Sequence, residues 1–134
     1  MNNANAVMHY TDQAGITAAP DELLILLLNA EIKNIRRAVV SIKSKDISKA
    51  HNSLIKAQDI IDELIMSLDM SYAISNNLLS LYSFIKNQLS QANIHKDPDL
   101  LESLLPTVKE LRDTWVQASK LSRSEKFSTV SFNI

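Results

Sequence analysis

From Ile25 onward the apolar side chains of this sequence recur every three or four residues. Ile25, Leu28, Ile32, Ile35, Val39 and Ile42 fall on one face of a helix. The run stops at 43–46 and resumes with Ile47, Ala50, Leu54, Ala57, Ile61, Leu64 and Leu68. A third run carries Ile74, Leu78, Leu81, Ile85 and Ala92, with polar Gln88 inside the stripe. The fourth carries Leu101, Leu104, Val108, Leu111, Trp115 and Ala118. Four amphipathic helices of about 20 residues, joined by short links, predict antiparallel neighbours and hence an all-α, up-down four-helix bundle.

Start signals support these boundaries. Pro20 suits a first helical position, where its missing N–H costs nothing, and Asp21 and Glu22 follow at the positive end of the helix dipole. Asp46 and Ser71 stand where caps of the second and third helices are expected, and Asp97-Pro98 marks the start of the fourth. Pro106 falls inside that fourth helix, removes one backbone hydrogen bond and crowds the carbonyl of Glu102. A kink, or a regular helix beginning only near Thr107, is expected there. The bundle should span 20–121. Residues 1–19, polar apart from isolated Met8, Tyr10 and Ile16, read as a flexible arm, and 122–134 as a mobile C-terminal tail. Val130, Phe132 and Ile134 alternate with polar residues, a weak strand-like pattern.

Composition narrows the picture further. One Gly and three Pro leave too few turn-formers for an all-β fold. Cysteine is absent, which excludes disulfides and thiolate metal sites and suits a reducing cytoplasm. The first residues have no basic and apolar stretch of the secretory kind, and the greasiest run, Leu23–Leu28, is far short of the ~20 residues that a membrane span needs. A net charge of −1 argues against a dedicated nucleic-acid binder. The charge is nevertheless uneven. Lys33, Arg36, Arg37, Lys43, Lys45, Lys49 and Lys56 are half of the 14 basic residues, with only Asp46 among them, and Asp59, Asp62, Glu63 and Asp69 follow. Solvated helix faces and a docking patch both fit this pattern.

The first three helices carry more apolar residues than the heptad stripe holds. They include Leu23, Leu24, Leu26 and Leu27, then Ile55, Ile60, Ile65 and Met66, then Leu79, Tyr82, Phe84 and Leu89. A widened core and a groove for a partner helix both account for them.

Catalytic constellations are missing. His9, His51 and His95 lie far apart, so no helical zinc pair forms, and Asp59, Asp62 and Glu63 have no fourth ligand at a matching spacing. A single Gly excludes phosphate loops and nucleophile elbows. The segment Ala50–Lys56 resembles the phospho-accepting helix of histidine phosphotransfer domains. However, the leucine, lysine and glycine that follow the histidine there are Ser53, Leu54 and Ile55 here. No enzyme activity, cofactor or metal is expected.

Read in order, several segments resemble the FliS family of flagellin-specific export chaperones. They are Tyr10 with TAAPDEL at 17–23, KDISKAHNSLIKAQDIIDEL at 45–64, SLDM at 67–70, LLSLYSFIKNQLSQANIHKD at 78–97 and LRDTWVQA at 111–118. Ala19 stands where that family usually has a serine, and Leu28 and Ala30 where it commonly has an aromatic and a glycine. The resemblance implies a cytoplasmic chaperone that binds the disordered C-terminal segment of flagellin and prevents premature polymerisation. It would then deliver the cargo to an export-gate component. A weak homodimer is also expected, with no nucleic-acid partner and no membrane insertion. A generic helical adaptor for another secreted cargo is the alternative alongside the phosphotransfer module. The expected partner-binding residues are Tyr10, Ile55, Ile60, Ile65, Leu79, Tyr82 and Leu89, with Tyr10 covering part of the apolar groove when no cargo is bound.

Overall fold

The structure is a computed structural model that describes residues 20–132, with side chains from 21 to 122. Four α-helices follow one another: α1 (Pro20–Lys43), α2 (Ile47–Met66), α3 (Ala73–His95) and α4 (Pro98–Phe132), and no strand occurs among the described residues. Each helix packs against its sequence neighbours, and α1 also packs against α4, closing a ring of four. The contacts that cross between helices set the directions. Lys43, ending α1, meets Glu102 near the start of α4 at 2.6 Å, Asn29 meets Arg112 at 3.1 Å, and Asp21 accepts from Ser119. Between α2 and α3, His51 lies 3.1 Å from Asn93 and Lys86 reaches Asp62 at 2.6 Å. Both helix pairs therefore run antiparallel, as the short links require.

The heptad stripes form most of the core. Leu28, Ile32, Ile35, Leu54, Ile61, Leu64, Ile85, Leu101, Leu104 and Val108 are buried together. A side chain of this size contributes about 1.5–3 kcal/mol when fully buried. The extra leucines of α1 widen this core: Leu27 is buried, and Leu23 and Leu24 pack against it. On α3 the buried face is rotated from the expected one. Ser75, Tyr82, Ile85, Leu89 and Ala92 point inward, whereas Ile74 is exposed and Leu78 and Leu81 are half-buried. Spacings of three and four occur in both sets, so the large aromatic Tyr82 rather than the period selects the face. Burial pushes its phenol up to about 12. On α4 the stripe passes to Ser119, not Ala118, which is exposed.

Capping follows the sequence at two of three starts. Asp46 accepts from the Lys49 amide at 3.1 Å, and Asp97 accepts from the amides of Asp99 and Leu100 at 3.0 and 3.3 Å. Ser71 does not cap α3. Its own amide and hydroxyl are engaged by Asp69, and Tyr72 occupies the N-cap without a side-chain bond. With glycine absent from these links, α1 and α3 end on left-handed lysines, Lys45 (φ 62) and Lys96 (φ 48). The Asp46 amide returns to the Ser41 carbonyl (2.8 Å) and the Asp97 amide to the Ala92 carbonyl (3.1 Å), which satisfies orphan carbonyls of each helix end.

Two expectations about α4 change. Pro106 lies on the exposed side of a helix that is continuous from Pro98, so the regular part does not wait for Thr107. The pyrrolidine ring faces outward, and the carbonyl it leaves without a partner belongs to the first turns of the helix. The backbone also remains helical from 122 through Phe132, where a tail was expected. That stretch contains Arg123, Glu125 and Lys126 and no Gly or Pro, so helix propensity outweighs the strand-like alternation. Ile134 and the arm with Tyr10 lie outside the described residues.

Candidate functional site

The link between α2 and α3 is built around one carboxylate. Asp69 Oδ1 accepts from the Ser71 hydroxyl at 2.6 Å and from the Ser71 amide at 3.0 Å, which holds the Asp69 carboxyl below its usual range. The Asp69 carbonyl accepts from Ser75 Oγ at 2.6 Å, tying the turn to the first turn of α3. The Ser67 amide closes α2 on the Glu63 carbonyl at 3.0 Å. A turn fixed by these polar bonds leaves its apolar side chains outside. Met66 is 69 % exposed, Tyr72 64 % and Ile74 63 %, with Met70 also exposed. Methionine is flexible and polarisable, so it adapts to varied apolar partners.

Further apolar side chains stand outside the core on α2 and α3. Ile55 and Phe84 are exposed, and Ile65 and Leu79 are half-buried. Ile47 and Ile94 are exposed at the opposite end of the same helix pair, next to the His51–Asn93 contact. The group gathered at the link, Met66, Met70, Tyr72 and Ile74, is the densest of these in sequence, and apolar groups that adjoin one another mark an interaction surface.

The expected binding residues divide accordingly. Ile55, Ile65 and Leu79 lie at the surface or at its edge, and Tyr10 falls outside the described residues. Ile60, Tyr82 and Leu89 do not line a groove. All three belong to the core, at 1 % exposure or less, because the inward face of each helix is broader than one heptad stripe. Sequence reasoning missed Met70, Tyr72 and Ile94, and placed Ile47 and Ile74 in the core. The missing signal is the link itself: Met70 and Tyr72 sit in a stretch without helical period, so no stripe flags them. Lone apolar residues at helix starts, Ile47 and Ile74, match the heptad by spacing while lying beyond the packed layer.

Glu63 is buried, and burial first, then Asp62 and Asp59, pushes its carboxyl up. Asp62 is paired with Lys86 across the helix boundary. Among the described residues no group of His, Asp or Glu could hold a metal ion. His51 is exposed and bonded to Asn93. Nor is any described helix long and apolar enough to cross a membrane.

The described residues form a closed four-helix bundle with part of its apolar side chains outside the core. The comparisons narrow the class. The family model "Flagellar protein FliS" matches residues 1–122. A flagellar secretion chaperone FliS of Bacillus subtilis (strain 168) is 34% identical over 122 residues, covering 91% of this chain and 92% of that protein. The FliS chaperone of Vibrio cholerae is 30% identical over 75% of each chain, and that of Salmonella typhimurium 28% identical over 81% of this chain and 82% of its own. The chain belongs to the FliS family of flagellar secretion chaperones.

Proposed function

We propose that this chain is a cytoplasmic export chaperone that binds the disordered C-terminal segment of flagellin, keeps it from polymerising and delivers it to the export gate. Family membership over residues 1–122 supports this reading, and the exposed apolar surface of α2, α3 and their link is the single structural observation that carries it. A segment that folds on binding must bury on the order of 1,000–3,000 Å² to offset its ordering entropy. Side chains such as Ile55, Met66, Tyr72, Leu79 and Phe84, with Ile65 at the edge, offer apolar area of that kind. No chemistry is required: the bundle acts by binding alone, without nucleotide. Any self-association is weak and gives way to cargo.

Co-expression with the flagellin of the same organism, followed by gel filtration, tests the proposal. A co-eluting complex is expected with full-length flagellin and none with flagellin lacking its C-terminal segment. Co-elution that survives the truncation would refute the assignment of the bound segment.

A further inference from the structure

On the side of the bundle formed by α1 and α2, with Arg112 of α4 at one margin, lies a groove of about 740 Å³. One wall carries Lys33, Arg36 and Arg37 of α1, and the other Lys49 and Lys56 of α2. Lys33, Arg36 and Arg37 lie within one turn of α1, and Lys49 and Lys56 stand seven residues apart on one face of α2, roughly 10 Å at 1.5 Å per residue. Among the described residues no carboxylate lines the groove. Lys43 is paired with Glu102 and Lys86 with Asp62, whereas among the described residues no ion pair engages Lys33, Arg36, Arg37, Lys49 or Lys56, which are gathered in this one groove. Arg112 is held in place by Asn29 Oδ1 at 3.1 Å and Asp113 at 3.0 Å. Five exposed cations without an ion-pair partner in one concave site, on a chain whose net charge is −1, concentrate a positive field that attracts an anionic partner.

We infer that this groove is a second docking site, separate from the apolar surface of α2 and α3, for an acidic amphipathic segment of a partner protein. Charge complementarity defines the acidic side of the ligand. Its apolar side is defined by Val40, which lines the groove at 67 % exposure, and by Ile32 beneath. A polypeptide fits better than a nucleic acid, since no aromatic side chain lines the groove to stack a base. Cations one turn apart on α1 and two turns apart on α2 match carboxylates placed one and two turns apart along a short helix. Exposed arginine and lysine fields of this kind speed encounter and respond steeply to salt.

The test is fluorescence anisotropy on the full chain with a labelled amphipathic helical peptide bearing glutamates along one face. Its probes for comparison are the same peptide with glutamine at those positions and a labelled single-stranded oligonucleotide. Binding of the glutamate peptide is expected, weakening at least ~10-fold between about 50 and 300 mM salt. It should fall at least ~10-fold, a loss of about 1.4 kcal/mol, in Arg36→Glu/Arg37→Glu/Lys56→Glu. The neutralised Arg36→Gln/Arg37→Gln variant, with an unchanged circular dichroism melt, should lose an intermediate amount, and Met66→Asp should lose none. Equal binding of the glutamine peptide, preference for the oligonucleotide, no binding of the glutamate peptide, or its undiminished binding to the charge-reversed variant would each overturn the inference.

Discussion

Glu31 lies in the middle of α1 with no exposed surface, and neither carboxylate oxygen has a hydrogen-bond partner among the described residues. Burial alone pushes its carboxyl well above the ordinary value of 4.5. The folded chain therefore binds this proton more tightly than the unfolded chain does. Stability from Glu31 is fully present below the unfolded value and is lost as pH rises through the raised folded value. Glu31→Gln removes the charge but leaves a buried amide, so a gain of about 1 kcal/mol is expected at about pH 8 and almost none at about pH 4. Thermal melts of both proteins across that range measure it, and equal pH slopes would contradict the assignment. The left-handed lysines make a second residue-scale prediction. Lys96→Gly relieves the Cβ clash of a residue at φ 48 and should raise stability by about 0.5–1 kcal/mol in chemical denaturation.

At the scale of elements, Pro106 is the clearest liability. Its ring is exposed, so nothing in the core depends on its shape, yet it denies α4 one backbone bond. Pro106→Ala should stabilise the chain by about 1–3 kcal/mol, read as a higher denaturant midpoint. No change would mean that the local backbone has already relaxed around the ring. The number, order and starts of the helices were legible because Asp46, Asp97-Pro98 and the heptads carry local physics. The α3 face was not legible. Ile74, Leu78 and Leu81 alternate with Ser75, Leu79 and Tyr82 at equivalent spacings, and only the shape of the space between α2 and α4 decides in favour of Tyr82. The backbone of α4 runs past the expected end of the bundle at 121. Serines around Lys120–Ser128 suggest a loop, but the intervening Leu121, Arg123, Glu125 and Lys126 continue the helix.

The whole molecule separates its apolar residues into two populations. One, with Ile60, Tyr82 and Leu89, builds the fold, and the other, with Met66, Tyr72 and Phe84, remains outside. Composition showed that a surplus existed but not where it would go, because burial depends on how four helices meet rather than on any one of them. Tyr72 illustrates the division. An N-cap position favours Ser or Asp by about 1 kcal/mol over residues without a capping acceptor, yet an exposed aromatic stands there. Such a residue is better explained by a partner than by the stability of α3. The most direct measurement is calorimetric titration of the purified flagellin C-terminal segment into wild type and into Met66→Asp/Phe84→Asp. Both proteins should melt alike, and the variant should bind at least ~10-fold more weakly, about 1.4 kcal/mol. A variant that melts like wild type and binds the segment with undiminished affinity would contradict the proposal that flagellin is held on this outer surface.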